Sequence, residues 1–151
     1  MSDEATRLTQ YFSYFEGTWQ VTDFNGDGKG SMTIKRAEGG TSHILEYRVG
    51  DERKTELGGY DPTSKNWTGI GFAQNGERYS QVMTEVPKHE TPKASDRWSD
   101  KHEGFLRSGE KTSSRLDFYI ESRDSYTVIV TNLTGGERRQ EDAAMRITRQ
   151  R

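Results

Sequence analysis

The side chains best suited to chemistry in this chain are three histidines, His43, His89 and His102. No cysteine accompanies them, so thiolate catalysis and disulfide bonding are both excluded. In "RWSDKHEGF", residues 97 to 105, Trp98, Asp100 and His102 recur at every second position and share one face of an extended strand. A carboxylate beside an imidazole sets its tautomer and raises its basicity, which is what a general base needs. Such pairs are also common on solvated strands, and the sequence favours that plainer reading. His43 shares a face with Leu45 and Tyr47 in "SHILEYRV", which directs it inward. A lone imidazole there is more often satisfied by a neighbouring hydroxyl than used in catalysis. None of the three histidines has the spacing of a metal site. "DFNGDGKGSMTI" begins like a calcium loop, with Asp23, Asn25, Asp27 and Gly28 at ligand spacing, but its last position is Ile34 instead of a bidentate Glu. A hairpin turn is expected there. No nucleophile elbow, phosphate loop or dinucleotide fingerprint occurs, so no catalytic residue, metal or cofactor is assigned.

The other ionisable groups are scattered. Glu46, Glu56, Glu85, Glu103, Asp117 and Glu121 alternate with polar neighbours and read as the outer face of a sheet, while Asp61 precedes Pro62 in a turn. The aromatic residues Tyr47, Tyr60, Phe72, Tyr79, Trp98, Phe105, Phe118 and Tyr126 read as core.

Positioning these groups falls to one helix and many strands. In "DEATRLTQYFSYFEG", Leu8, Tyr11, Phe12 and Phe15 form a single helical stripe, Asp3 and Glu4 complement the dipole of the first turn, and Gly17 follows the end. Beyond it the chain breaks into short period-2 segments separated by glycine turns such as "QNGE", "SGEK" and "TGGE". About ten strands are predicted, over residues 17–24, 29–36, 42–49, 55–61, 66–74, 78–86, 97–107, 113–122, 125–133 and 138–148. Short links favour antiparallel neighbours, and closure removes exposed edges, so the predicted fold is an all-β, up-and-down antiparallel barrel with one short N-terminal helix, in a single domain over residues 1–151. In "NWTGIGF", Trp67, Gly69 and Gly71 share one face and Thr68, Ile70 and Phe72 the other; either could face inward.

Composition bounds the function. Apolar residues make up only 29% of the chain, but six Phe, seven Tyr and three Trp at strand spacing and a net charge of only −2 argue for an ordered domain with an aromatic interior. The interspersed 22 basic and 24 acidic residues offer no block that invites nucleic acid or an anionic membrane. "MSDEATRL" lacks the basic start and apolar run of an export signal, so a cytoplasmic location is expected.

The helix ending in an aromatic, then "EGTWQV", "GGYDPTSKNWTGIGF" in mid-chain and "AAMRITR" near the C-terminus together resemble a family of bacterial domains of unknown function with a lipocalin-like, or calycin, barrel. The resemblance implies that Gly17 and Trp19 on the first strand close the barrel floor under an arginine of the last strand, either Arg146 or Arg149. It implies no activity.

The expected function is binding of a small, partly apolar molecule inside the barrel, with His43, Tyr47, Phe72, Trp98, Phe118 and Tyr126 as its walls. One alternative is a structural or interaction module whose barrel is filled by its own side chains. The other is a small enzyme with His43 or His102 as general base. The one long connection, "PKHETPKASDR", residues 87 to 97, is expected to form a hinged rim at an open end opposite the helix and Trp19.

Overall fold

The computed structural model describes residues 3–23, 29–133 and 143–150. Helix α1 (Asp3–Phe12) runs into a 3-10 turn (Ser13–Phe15) and then ten strands: β1 (Gly17–Asp23), β2 (Lys29–Arg36), β3 (Ser42–Val49), β4 (Glu52–Asp61), β5 (Asn66–Ala73), β6 (Arg78–Thr84), β7 (Arg97–Phe105), β8 (Lys111–Ser122), β9 (Ser125–Asn132) and β10 (Ala143–Arg149). Every strand pairs antiparallel with its sequence neighbours and β1 pairs with β10, closing the barrel. Strand β4 begins at Glu52, earlier than expected, because its first residues pair with the end of β3, Val49 opposite Glu52. The expected start of the last strand, at residues 138–142, lies outside the described residues, as does the calcium-loop segment 24–28. Among the described residues no helix is long and apolar enough to cross a membrane.

The regular helix ends at Phe12, shorter than its apolar stripe suggests, and the tighter turn that follows keeps Phe15 in the core. Leu8, Tyr11, Phe12 and Phe15 are all buried. They seal one end of the barrel against Trp67, Trp98 and Tyr126 through ring contacts with centroids 4.7 to 6.1 Å apart.

On β5 the glycine face is the inner one. Trp67 and Gly71 are buried, whereas Ile70 is 49% and Phe72 59% exposed on the outside. A Cβ on Gly71 would lie 2.2 Å from the Tyr79 ring, and one on Gly69 2.7 Å from the Gln81 amide nitrogen. The glycines of this stretch therefore make room for large inward side chains of the neighbouring strand. Phe105 is also outward, at 37% exposure, and does not belong to the core.

The 87–97 connection is a correction. It lies against the helix, not opposite it: Arg7 Nη1 donates to the carbonyls of Pro87 (2.8 Å) and His89 (3.2 Å). Asp96 Oδ2 accepts from the Tyr11 hydroxyl (3.0 Å) and the Lys93 amide (2.9 Å), and lies 2.6 Å from His89 Nε2. The physical reason is parity. In an up-and-down barrel, connections that follow even-numbered strands all lie at the end where β1 begins, so the β6–β7 connection must meet the helix.

Burial pushes the Asp96 carboxyl up, but the hydrogen bonds from Lys93, His89 and Tyr11 outweigh it and hold it below the ordinary 3.8. Its stabilisation is present above the unfolded-state value and is lost as pH falls through the depressed folded value. Asp96→Asn is therefore expected to cost roughly 1.5 to 3 kcal/mol at pH 7. In urea titrations the difference from the parent protein shrinks below about pH 4.

Candidate functional site

The alternation of every strand sends half of its side chains into the barrel, and the two halves of the wall differ in chemistry. From β8, β9, β10 and β2 come Leu116, Phe118, Val128, Met145, Ile147, Met32 and Ile34, an apolar surface. From β4, β6 and β7 come Lys54, Glu56, Gln81, Asp100 and His102, joined by Tyr79. Between them lies a cavity of about 120 Å³. Its inner end is capped by Phe12 and Phe15 of the helical segment. Away from the helix it leads to a recess of about 480 Å³ beside the β7–β8 turn, and Lys54, His102, Leu116 and Met145 line both spaces.

Five of the six residues expected in the binding wall, His43, Tyr47, Trp98, Phe118 and Tyr126, line this cavity. Phe72 does not; it projects to solvent from the outer face of β5. At the floor, Arg149 fills the position that the resemblance left open. Its guanidinium carbon sits 4.1 Å from the Trp19 ring centroid, and it donates to the carbonyls of Tyr14 (2.8 Å) and Glu16 (2.9 Å) and to Asp124 Oδ1 (3.1 Å). Arg146 points outward and pairs with Glu121 at 3.0 Å. Gly17 has φ of +129°, and a Cβ there would crowd Arg149 Nη1 at 3.3 Å. Backbone conformation and close approach both select glycine.

The Asp100–His102 pair is not on a solvated strand. Asp100 is 1% and His102 8% exposed, and Asp100 Oδ2 lies 2.8 Å from His102 Nε2. The imidazole stacks on the Tyr79 ring at 4.6 Å with planes 12° apart, and the Tyr79 hydroxyl donates to Glu56 Oε1. Burial pushes the Asp100 carboxyl up; the His102 hydrogen bond opposes this and Glu56 reinforces it. Burial beside Glu56 likewise raises Tyr79, which stays a neutral phenol at physiological pH. Glu56 faces inward, a correction to its expected place on the outer face, and Lys54 and Gln81 join it in a wall that sequence reasoning missed.

His43 occupies the other end of the cavity, with its ring 5.2 Å from that of Trp67. Its Nε2 is 3.3 Å from Glu16 Oε1 but out of line for a hydrogen bond. Burial pushes His43 down more than Glu16 raises it, so it is held neutral. His89 lies outside the barrel, in the connection bound to the helix. Three buried polar atoms of cavity-lining side chains, His43 Nε2, Trp98 Nε1 and Asp100 Oδ1, have no hydrogen-bond partner among the described residues. The described residues contain no group of three or more acidic or histidine side chains arranged to hold a metal.

No protein-family model matches the chain, and no curated protein matches it in sequence.

Proposed function

We propose that this lipocalin-like barrel binds a small, partly apolar molecule that carries both a hydrogen-bond donor and an acceptor. The observation that carries the reading is the pair of orphaned atoms Trp98 Nε1 and Asp100 Oδ1. Burying a polar group without a partner costs about 1 to 3 kcal/mol, and a ligand that bonds to these atoms recovers that loss. The divided wall supports the same reading, since a molecule with one apolar side matches Met32, Ile34, Phe118 and Val128 while its polar edge meets Asp100 and His102. The inner cavity, about 120 Å³, is close to the roughly 150 Å³ of an engineered apolar cavity that holds benzene, and the recess leaves room for a longer ligand. The arginine over Trp19 supports the lipocalin-like resemblance at the closed end.

Native mass spectrometry of freshly purified protein tests the proposal, with titration of 2-naphthol, a fluorescent bicycle with one hydroxyl, as an independent probe. A co-purified small molecule, or saturable 2-naphthol binding that raises the thermal midpoint, is the expected result. Bare protein that also ignores 2-naphthol would favour a barrel filled by its own side chains.

A further inference from the structure

The imidazole on the polar wall is built for more than holding a ligand. We propose that the Asp100–His102 pair is a general-base site, with His102 Nδ1 taking a proton from a carbon acid lodged against the apolar wall. This rests on the binding reading above.

The geometry supplies each part that the reaction class needs. Asp100 engages Nε2, so Nδ1 is the ring nitrogen left for the substrate. Stacking on Tyr79 fixes the plane of the ring, and Tyr79 is itself tied to Glu56. His102 lines both the cavity and the recess, so its ring borders the route a substrate would take inward. Leu116, beside Asp100 on the neighbouring strand β8, and Met145 of β10 line the same space and exclude water from part of it. Lys54 adds a cation on the polar wall, its ammonium 4.5 Å from the Tyr47 ring centroid and 3.9 Å from Glu52. That charge favours an anion developing on the substrate.

In the step, the C–H bond breaks, its proton moves to Nδ1, and its electron pair shifts into the substrate's own electron-withdrawing group. The proton then returns at another carbon, giving an isomerisation, or passes to water if the electron pair expels a leaving group. Neither outcome needs an oxidant or a cofactor. Asp100 acts through the imidazole and is a positioning residue. The charged groups that bias the titration are Asp100 on β7 and Glu56 and Lys54 on β4, with the Tyr79 phenol on β6. Strand β8 presents the uncharged Ser114 and Leu116 and, at the recess, Lys111, where Glu52, Glu77 and Glu110 also stand.

The probe is 5-nitrobenzisoxazole, whose ring opens when a base removes its C3 proton: the C–H pair becomes part of a nitrile, the N–O bond breaks, and a coloured phenolate is released. The parent protein is expected to open it at least about 100-fold faster than the same concentration of free imidazole. His102→Gln is expected to lower kcat/KM about 100-fold, while Asp100→Asn lowers it about tenfold and moves the pH profile. 2-Naphthol titration and the thermal midpoint of each variant report whether the cavity survives. A parent protein that binds 2-naphthol yet is no faster than imidazole overturns the base assignment and leaves the binding reading standing. A His102→Gln variant that is folded and as active as its parent also overturns it. If the parent neither binds nor reacts, both readings fail together.

Discussion

Replacing Trp19 by alanine lowers the unfolding free energy by about 3 to 5 kcal/mol, the largest loss expected from one substitution in this chain. The indole is fully buried, its Nε1 donates to the Phe15 carbonyl (2.8 Å), and its ring packs edge-on against Tyr126 at 5.2 Å under the Arg149 guanidinium. Truncation opens a cavity, leaves the Phe15 carbonyl without its donor and removes an aromatic partner worth roughly 0.5 to 2 kcal/mol to the arginine. Arg149 in turn binds backbone carbonyls of the 3-10 segment, so the plug that carries Phe12 and Phe15 loosens with it. Urea denaturation checks this. A loss below about 1 kcal/mol would mean that Trp19 does not hold the closed end together.

The second large effect is expected at the opposite end of the barrel. Gly104 faces inward on β7, opposite Tyr79, and an added Cβ would fall 2.0 Å from the Arg78 carbonyl oxygen and 2.7 Å from the Tyr79 Cα. Both atoms are backbone, so no side-chain rotation relieves the clash and β6 and β7 must separate. Gly104→Ala is expected to cost about 3 kcal/mol, at the upper end of what overpacking produces. The same displacement tilts Tyr79 off His102, so the variant also weakens the 2-naphthol site. A variant that unfolds at the parent's urea midpoint would show that the strands give way here without loss.

What the sequence determined by itself is the frame. Period-2 segments cut by glycine turns specify short antiparallel strands, which either split into a sandwich or close into a barrel, and closure removes the edges. The helix and its buried stripe follow from local periodicity, which needs no knowledge of distant neighbours. The place of the 87–97 connection is also legible, since counting strands puts it beside the helix.

The tertiary structure alone decided the polar wall. On β4 the hydrophobic pattern points the wrong way: Leu57 is 46% exposed outside while Lys54 and Glu56 face in. Alternation tells which residues share a face but not which face is inner, and when a strand places charges inward the hydrophobic signal inverts. Those charges are tolerated because partners meet them, Tyr79 of β6 on Glu56 of β4 and, within β7, His102 on Asp100, and Gly71 and Gly104 clear the space that Tyr79 fills. Closing the barrel brings β4, β6 and β7 together around one cavity, and no reading of a single strand contains the distances between them.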